Sequence, residues 1–161
     1  MKIVRLERFP EHAATVAEWL YEEWERHRPD TSLENTESAV RTMPDATGLP
    51  VSFIALNDGR PVGVARLVMH DMETRMDLSP WLSGVFVPVP HRGHRIGTKV
   101  CKAVVDEAAT LGFSTLYLYT PDRERFYSRQ GWQTVEPVIY KSKEVILMRM
   151  DTGNNTSTPD A

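Results

Sequence analysis

Two periodicities alternate along the chain. Residues 2–7 read as a short opening strand. Over residues 11–28 the apolar side chains Val16, Trp19, Leu20 and Trp24 recur at three- and four-residue steps, while Glu18, Glu22, Glu23 and Arg26 take the other face. That spacing predicts an amphipathic helix, entered at Pro10 and ended by Pro29 and Asp30. Ser32, with Asn35 and Glu37, supplies capping chemistry for a second, short helix reaching about Thr42, and residues 43–50 read as a loop. The period then falls to two. Residues 51–56 and 61–69 are β-rich on either side of the turn Asn57-Asp58-Gly59-Arg60, which predicts a hairpin whose second strand is interrupted by Gly63.

After a polar connection at 70–80, a β-branched run of Val85, Phe86 and Val87 stops at Pro88 and Pro90. Helical spacing resumes with Ile96, Val100, Val104 and Ala108, flanked by Val105 and Leu111. Residues 114–120 alternate as a strand, residues 123–129 form a short helix opened by Pro121 and Asp122, and Gln130-Gly131 closes it. Residues 135–140 and 144–150 pair across Lys141-Ser142-Lys143 as a final hairpin. The polar stretch 151–161 has no apolar anchor and is expected to be a disordered tail. The order is strand, helix, helix, three strands, helix, strand, helix, two strands. It predicts an α/β (α+β) fold on a mixed sheet, with residues 1–150 as a single domain.

Composition narrows the function classes. The 161 residues carry a formal net charge of −3, which gives no electrostatic footprint for nucleic acid. No apolar run approaches membrane-spanning length and the N-terminus lacks an export core, so a cytoplasmic protein with no membrane partner is expected, as monomer or homodimer. Cys101 is the only cysteine and lies in the central helix pattern, where a buried thiol is expected rather than a nucleophile.

The chemistry concentrates where the central strand turns into the helix, at His91-Arg92-Gly93-His94-Arg95-Ile96-Gly97-Thr98. Two glycines that permit close backbone approach, cationic side chains and the N–H groups of a helix's first turn make an anion site. A nucleotide P-loop needs two glycines five apart followed by Lys and Ser/Thr, whereas Gly93 and Gly97 are four apart and the order is Thr98-Lys99. A dinucleotide fingerprint needs a G-x-G-x-x-G frame, which is absent. Arg92-Gly93-His94-Arg95-Ile96-Gly97 resembles the R/Q-x-x-G-x-G/A loop of the GNAT superfamily of N-acetyltransferases, with Arg95 standing where that family usually has its first motif glycine. The resemblance implies a GNAT-like fold with a splayed central sheet. It also implies acetyl-CoA as the acetyl-donating cosubstrate, with no metal, held at its pyrophosphate by residues 92–98.

A second motif follows in the same order. Phe126-Tyr127-Ser128-Arg129-Gln130-Gly131-Trp132 is similar to the family's F-Y-x-x-x-G-F/W segment, which implies that Tyr127 is the general acid for the leaving CoA thiolate. A phenol, ordinarily titrating at about pH 10, keeps its proton until a stronger base forms beside it. Thr120 stands where the family often has an asparagine on the pantetheine arm, and the backbone N–H groups of Phe86 and Val87 would steady the oxyanion, since Pro88 has none.

The resemblance also implies direct attack by an amine acceptor. Its base is sought among His70, Asp71, Glu73 and Asp77, with Trp24 and Tyr119 as further contacts in the acceptor groove. The segment 120–132 also looks like that of the branch acting on protein N-termini, so a peptide α-amine joins small amines as an expected acceptor. The alternative is a non-catalytic acyl-CoA sensor or interaction module on the same fold. Retention of Tyr127 with the phosphate loop favours the enzyme.

Overall fold

A computed structural model describes residues 1–153. Seven strands form an open, mixed sheet in the order β1-β2-β3-β4-β5-β7-β6, with β1 Lys2–Arg5, β2 Val51–Asn57, β3 Arg60–Val68, β4 Trp81–Phe86, β5 Thr115–Thr120, β6 Gln133–Tyr140 and β7 Lys143–Asp151. The helices are α1 Ala13–Glu23, α2 Leu33–Arg41, α3 Ile96–Thr110 and α4 Glu124–Ser128. The element order is the one expected from the sequence. β1 pairs antiparallel with β2 and β2 with β3, β4 pairs parallel with β5 at Trp81↔Tyr117, and β7 pairs antiparallel with both β5 and β6.

The chain divides into two compact units. One comprises Met1–Leu67 and Gly84–Val104; the other comprises Val68–Ser83 and the described residues from Val105 to Gly153. In the first unit, Val16, Ala17 and Leu20 of α1 and Val40 of α2 close over Ile54, Leu56 and Val64 of β2 and β3. In the second, Met72, Trp81, Tyr140, Val145 and Leu147 form a core with Tyr117 and Tyr119 packed against it. The stripe Ile96, Val100, Val104 and Ala108 of α3 is buried throughout, as its four-residue spacing requires. Each full burial of a valine or isoleucine there contributes about 1.5–3 kcal/mol.

Both hairpin turns follow their residues. Asp58 and Gly59 have φ of 51° and 74°, and Lys141 and Ser142 have φ of 50° and 66°, the paired left-handed geometry that a two-residue turn between twisted strands demands. Ser32 caps α2, its hydroxyl accepting from Asn35 N–H at 3.0 Å.

Several boundaries differ from the sequence expectation. The opening strand ends at Arg5, because Leu6 turns into the core in a single 3-10 turn at Leu6–Arg8. The helix expected over 11–28 is continuous only over α1, with separate 3-10 turns at Pro10–His12 and Glu25–His27. The second break falls at Trp24, whose φ of −130° and ψ of −50° leave the helix while its ring meets Phe86. β4 begins at Trp81, four residues before the β-branched run, and carries Gly84 at φ 61° in mid-strand. That left-handed φ favours glycine, and a Cβ there would also stand 3.3 Å from Arg66 Cδ and 3.4 Å from Leu20 Cδ2. β7 runs to Asp151, which pairs with Thr115, and Thr152 N–H donates to Ser114 O at 3.0 Å. The rest of the expected tail, residues 154–161, lies outside the described residues.

Candidate functional site

The loop between β4 and α3 gathers features that suit an anion. Gly93 has φ of 88° and Arg95 φ of 62°, so two left-handed residues turn the chain immediately before the helix. The helical ladder begins where Lys99 N–H donates to Arg95 O at 3.1 Å, and a helix leaves its first-turn N–H groups, here those of Ile96, Gly97 and Thr98, without an intrahelical acceptor. Arg92, His94, Arg95 and Lys99 are exposed around that end, and Gly93 has open space on its Cβ side. Donor N–H groups, the positive end of a 15-residue helix and a ring of cations fit a pyrophosphate.

Arg95 occupies the position where a glycine was expected, and it takes the left-handed conformation a glycine would take. Ile96 fixes the head of the helix: Gly63 of β3 is bare where a Cβ would stand 2.6 Å from Ile96 Cγ2, 3.5 Å from Val87 Cγ2 and 3.6 Å from Phe86 O. Gly63 was visible in the sequence only as an interruption of a strand. Its role as the seat of α3 is a tertiary contact.

Arg92 is held rather than loose. Its Nε donates to Val87 O at 2.8 Å, and its guanidinium lies 5.9 Å from the Phe86 ring centroid. Phe86 also meets Trp19 at 5.8 Å and Trp24 edge-on at 6.4 Å. Trp24 remains 40 % exposed, so this aromatic group combines a packed base with an open face. His94 Nδ1 lies 3.3 Å from His91 O.

In the second unit, Thr120 is buried and its hydroxyl accepts from Arg123 N–H at 3.0 Å and from Asp122 N–H at 3.4 Å, closing the turn that starts α4. On that helix Tyr127 is buried, with ring contacts to Phe126 at 4.9 Å and Trp132 at 6.1 Å. Tyr127 O accepts from both Gln130 N–H at 2.9 Å and Trp132 N–H at 3.2 Å. Tyr127 N–H donates to Arg123 O at 3.1 Å, so its backbone is fixed on both sides.

The acceptor candidates of the 70–80 connection divide. Glu73 N–H donates to Tyr140 Oη at 3.0 Å, that hydroxyl donates to Glu73 Oε2 at 3.4 Å, and Lys141 Nζ pairs with the same carboxylate oxygen at 3.0 Å. Tyr119 stacks edge-on against Tyr140 at 5.3 Å and against Trp81 at 6.1 Å. Glu73 and Tyr119 thus meet around Tyr140, a residue the sequence placed only at the end of a strand. Arg75 grips Asp77 through two bonds of 3.0 Å and reaches Glu136 at 3.3 Å. The Arg75 hydrogen bonds hold the Asp77 carboxyl below the usual carboxylate range, which makes it a weaker base. His70 is exposed and Asp71 half-buried. Cys101 is fully buried and burial pushes its thiol up to about 12, so it stays protonated at neutral pH.

The acetyltransferase (GNAT) family model matches residues 13–132. The chain belongs to that family, and it is an N-acetyltransferase that draws on acetyl-CoA. Among solved structures, an aminoglycoside 6'-N-acetyltransferase complexed with coenzyme A superposes with a TM-score of 0.74 at 18% identity, covering 94% of this chain and 97% of that one. The aminoglycoside 6'-N-acetyltransferase from Enterococcus faecium gives 0.72 at 18% identity over the same shares. A chimera of the Vibrio cholerae spermidine N-acetyltransferase SpeG with hSSAT gives 0.71 at 14% identity, covering 94% and 95%. At such identities the likeness is one of fold. Comparison with curated protein sequences gives no match. No helix among the described residues is long and apolar enough to cross a membrane.

Proposed function

We propose that the chain transfers the acetyl group of acetyl-CoA to a primary amine by direct attack, in the cytoplasm. The observation that carries this reading is the head of α3, where Arg95 at φ 62° turns the chain so that first-turn N–H groups and three cationic side chains, Arg92, Arg95 and Lys99, share one end of the helix. In that role residues 92–98 hold the pyrophosphate, mainly through backbone donors, with Arg92 and Arg95 adding charge. Acetyl-CoA supplies the activated thioester. The backbone N–H groups of Phe86 and Val87 steady negative charge developing on the carbonyl oxygen. Tyr127 holds a proton for the departing thiolate, and Thr120 fixes the helix that carries it. For the acceptor's proton the 70–80 connection offers His70, Asp71 and Glu73, with Asp77 the poorest of the four because of Arg75.

The acceptor is an amine of the kind named for the structural neighbours, an aminoglycoside or a polyamine, or else the α-amine of a peptide, with Trp24, Glu73 and Tyr119 as its contacts. Calorimetry on Gly97→Glu tests the phosphate assignment. A carboxylate placed against pyrophosphate at a helix N-terminus should weaken CoA binding by about 2–4 kcal/mol. Unchanged affinity in a folded variant would remove the loop from the site.

A further inference from the structure

The short helix α4 ends in a turn that carries the chain back onto its own tyrosine. Gly131 takes φ of 101°, and around it Trp132 N–H donates to Tyr127 O at 3.2 Å while Gly131 N–H donates to Ser128 O at 3.1 Å. Those two bonds make the Schellman pattern, in which the residue after the left-handed glycine packs its side chain on the helix's last turn. Here that residue is Trp132 and the side chain it meets is that of Tyr127. Their ring centroids lie 6.1 Å apart with the planes at 70°.

Trp132 is 3% exposed and Tyr127 8%. Among the described residues the buried indole Nε1 has no hydrogen-bond partner. A buried donor left unpaired destabilises a fold, and a phenylalanine at 132 would carry none. The indole is therefore held by ring contact rather than by a hydrogen bond. Edge-to-face aromatic pairs have a preferred geometry that an aliphatic side chain does not impose. Tyr127 also meets Phe126 edge-on at 4.9 Å, so two aromatic contacts bear on the direction of its ring.

The geometry points to Trp132 as the positioning residue of Tyr127: its edge-on indole sets the direction of the phenol ring, and so where the hydroxyl stands when the CoA thiolate leaves. That role rests on the proposed one of Tyr127 as the acid, and Trp132 acts through the tyrosine ring. A positioned acid works when its hydroxyl lies within hydrogen-bond reach of the departing atom. A ring free to turn thus loses rate without losing binding.

The test is a cycle of single and double variants, read as kcat for thiol release from acetyl-CoA with spermidine as the amine, and as acetyl-CoA Kd by calorimetry. Tyr127→Phe should lower kcat, and Trp132→Leu should lower it by about tenfold or more with Kd within about twofold. Trp132→Phe keeps an aromatic edge and should stay within about threefold of the parent, with an equal or higher melting temperature. In the Tyr127→Phe background Trp132→Leu should cost nothing further. Loss of the same factor in both backgrounds, or a parent-like kcat in Trp132→Leu beside an impaired Tyr127→Phe, overturns the positioning role and leaves the acid reading standing. A parent-like kcat in Tyr127→Phe overturns the acid reading, and the positioning role with it. NMR of ring-labelled tyrosine decides without an acceptor: Tyr127 should flip about tenfold faster or more in Trp132→Leu, and an unchanged flip rate overturns the positioning role. Should Trp132→Leu fail to fold, Trp132→Met, likewise without an aromatic edge and more adaptable in shape, takes its place with the same outcomes.

Discussion

Gly63 on β3 and Ile96 at the head of α3 meet with no room for a side chain between them, the Cβ of any other residue at 63 falling 2.6 Å from Ile96 Cγ2. That contact sets where the N-terminal end of α3, the proposed phosphate site, stands. Gly63→Ala must displace Ile96 or strain β3, at about 1–3 kcal/mol for an overpacked core position. The melting temperature should fall by roughly 2–12 °C for a chain of this size, and CoA affinity should fall with it. Parent values of both in calorimetry would show that Ile96 yields freely and that the contact does not position the loop.

Arg95 separates backbone strain from charge. Its φ of 62° costs a non-glycine residue about 1 kcal/mol, which Arg95→Gly would relieve. The variant should therefore melt a few degrees higher. It also loses a cation at the phosphate site, and CoA binding should weaken by about 1–2 kcal/mol. The two measurements are expected to move in opposite directions. If CoA affinity rises along with stability, the arginine is not serving the phosphates.

How much of this was legible in the sequence depends on whether the signal was local. The turn before α3 and the short helix α4 were readable because the residues that make them, Gly93 to Gly97 and Phe126 to Gly131, sit next to one another in the chain. The hairpin turns were readable because Asp58 and Gly59 carry their own backbone preference. The break at Trp24 was not, since the apolar period continues through it and its contact with Phe86 lies far along the chain. Residues Trp81 to Gly84 escaped because Gly84 interrupts the β pattern, and its left-handed φ of 61°, with Arg66 and Leu20 close by, shows only in the folded chain. Likewise, the pairing of Glu73 with Tyr140 joins distant parts of the chain, and nothing near either residue announces it.

Thr120 links the last parallel strand to the helix of Tyr127. Its hydroxyl accepts two backbone N–H groups, so Thr120→Val leaves those donors unpaired at a cost of about 1–2 kcal/mol, while Thr120→Ser retains the acceptor. In the proposed enzyme the valine variant should lose kcat more than it loses CoA affinity, and the serine variant should recover it. Equal kcat in the valine and serine variants would detach this turn from catalysis.

The central claim is that Tyr127 protonates the leaving thiolate, and Tyr127→Phe tests it most directly. The substitution removes one hydroxyl and keeps the ring that packs on Phe126 and Trp132, so the melting temperature and acetyl-CoA affinity should change little. With its best amine acceptor, kcat should fall by about 10²–10⁴-fold, as expected for loss of a positioned acid. A folded Tyr127→Phe enzyme whose kcat stays within roughly threefold of the parent would contradict the account and leave Tyr127 as a core aromatic.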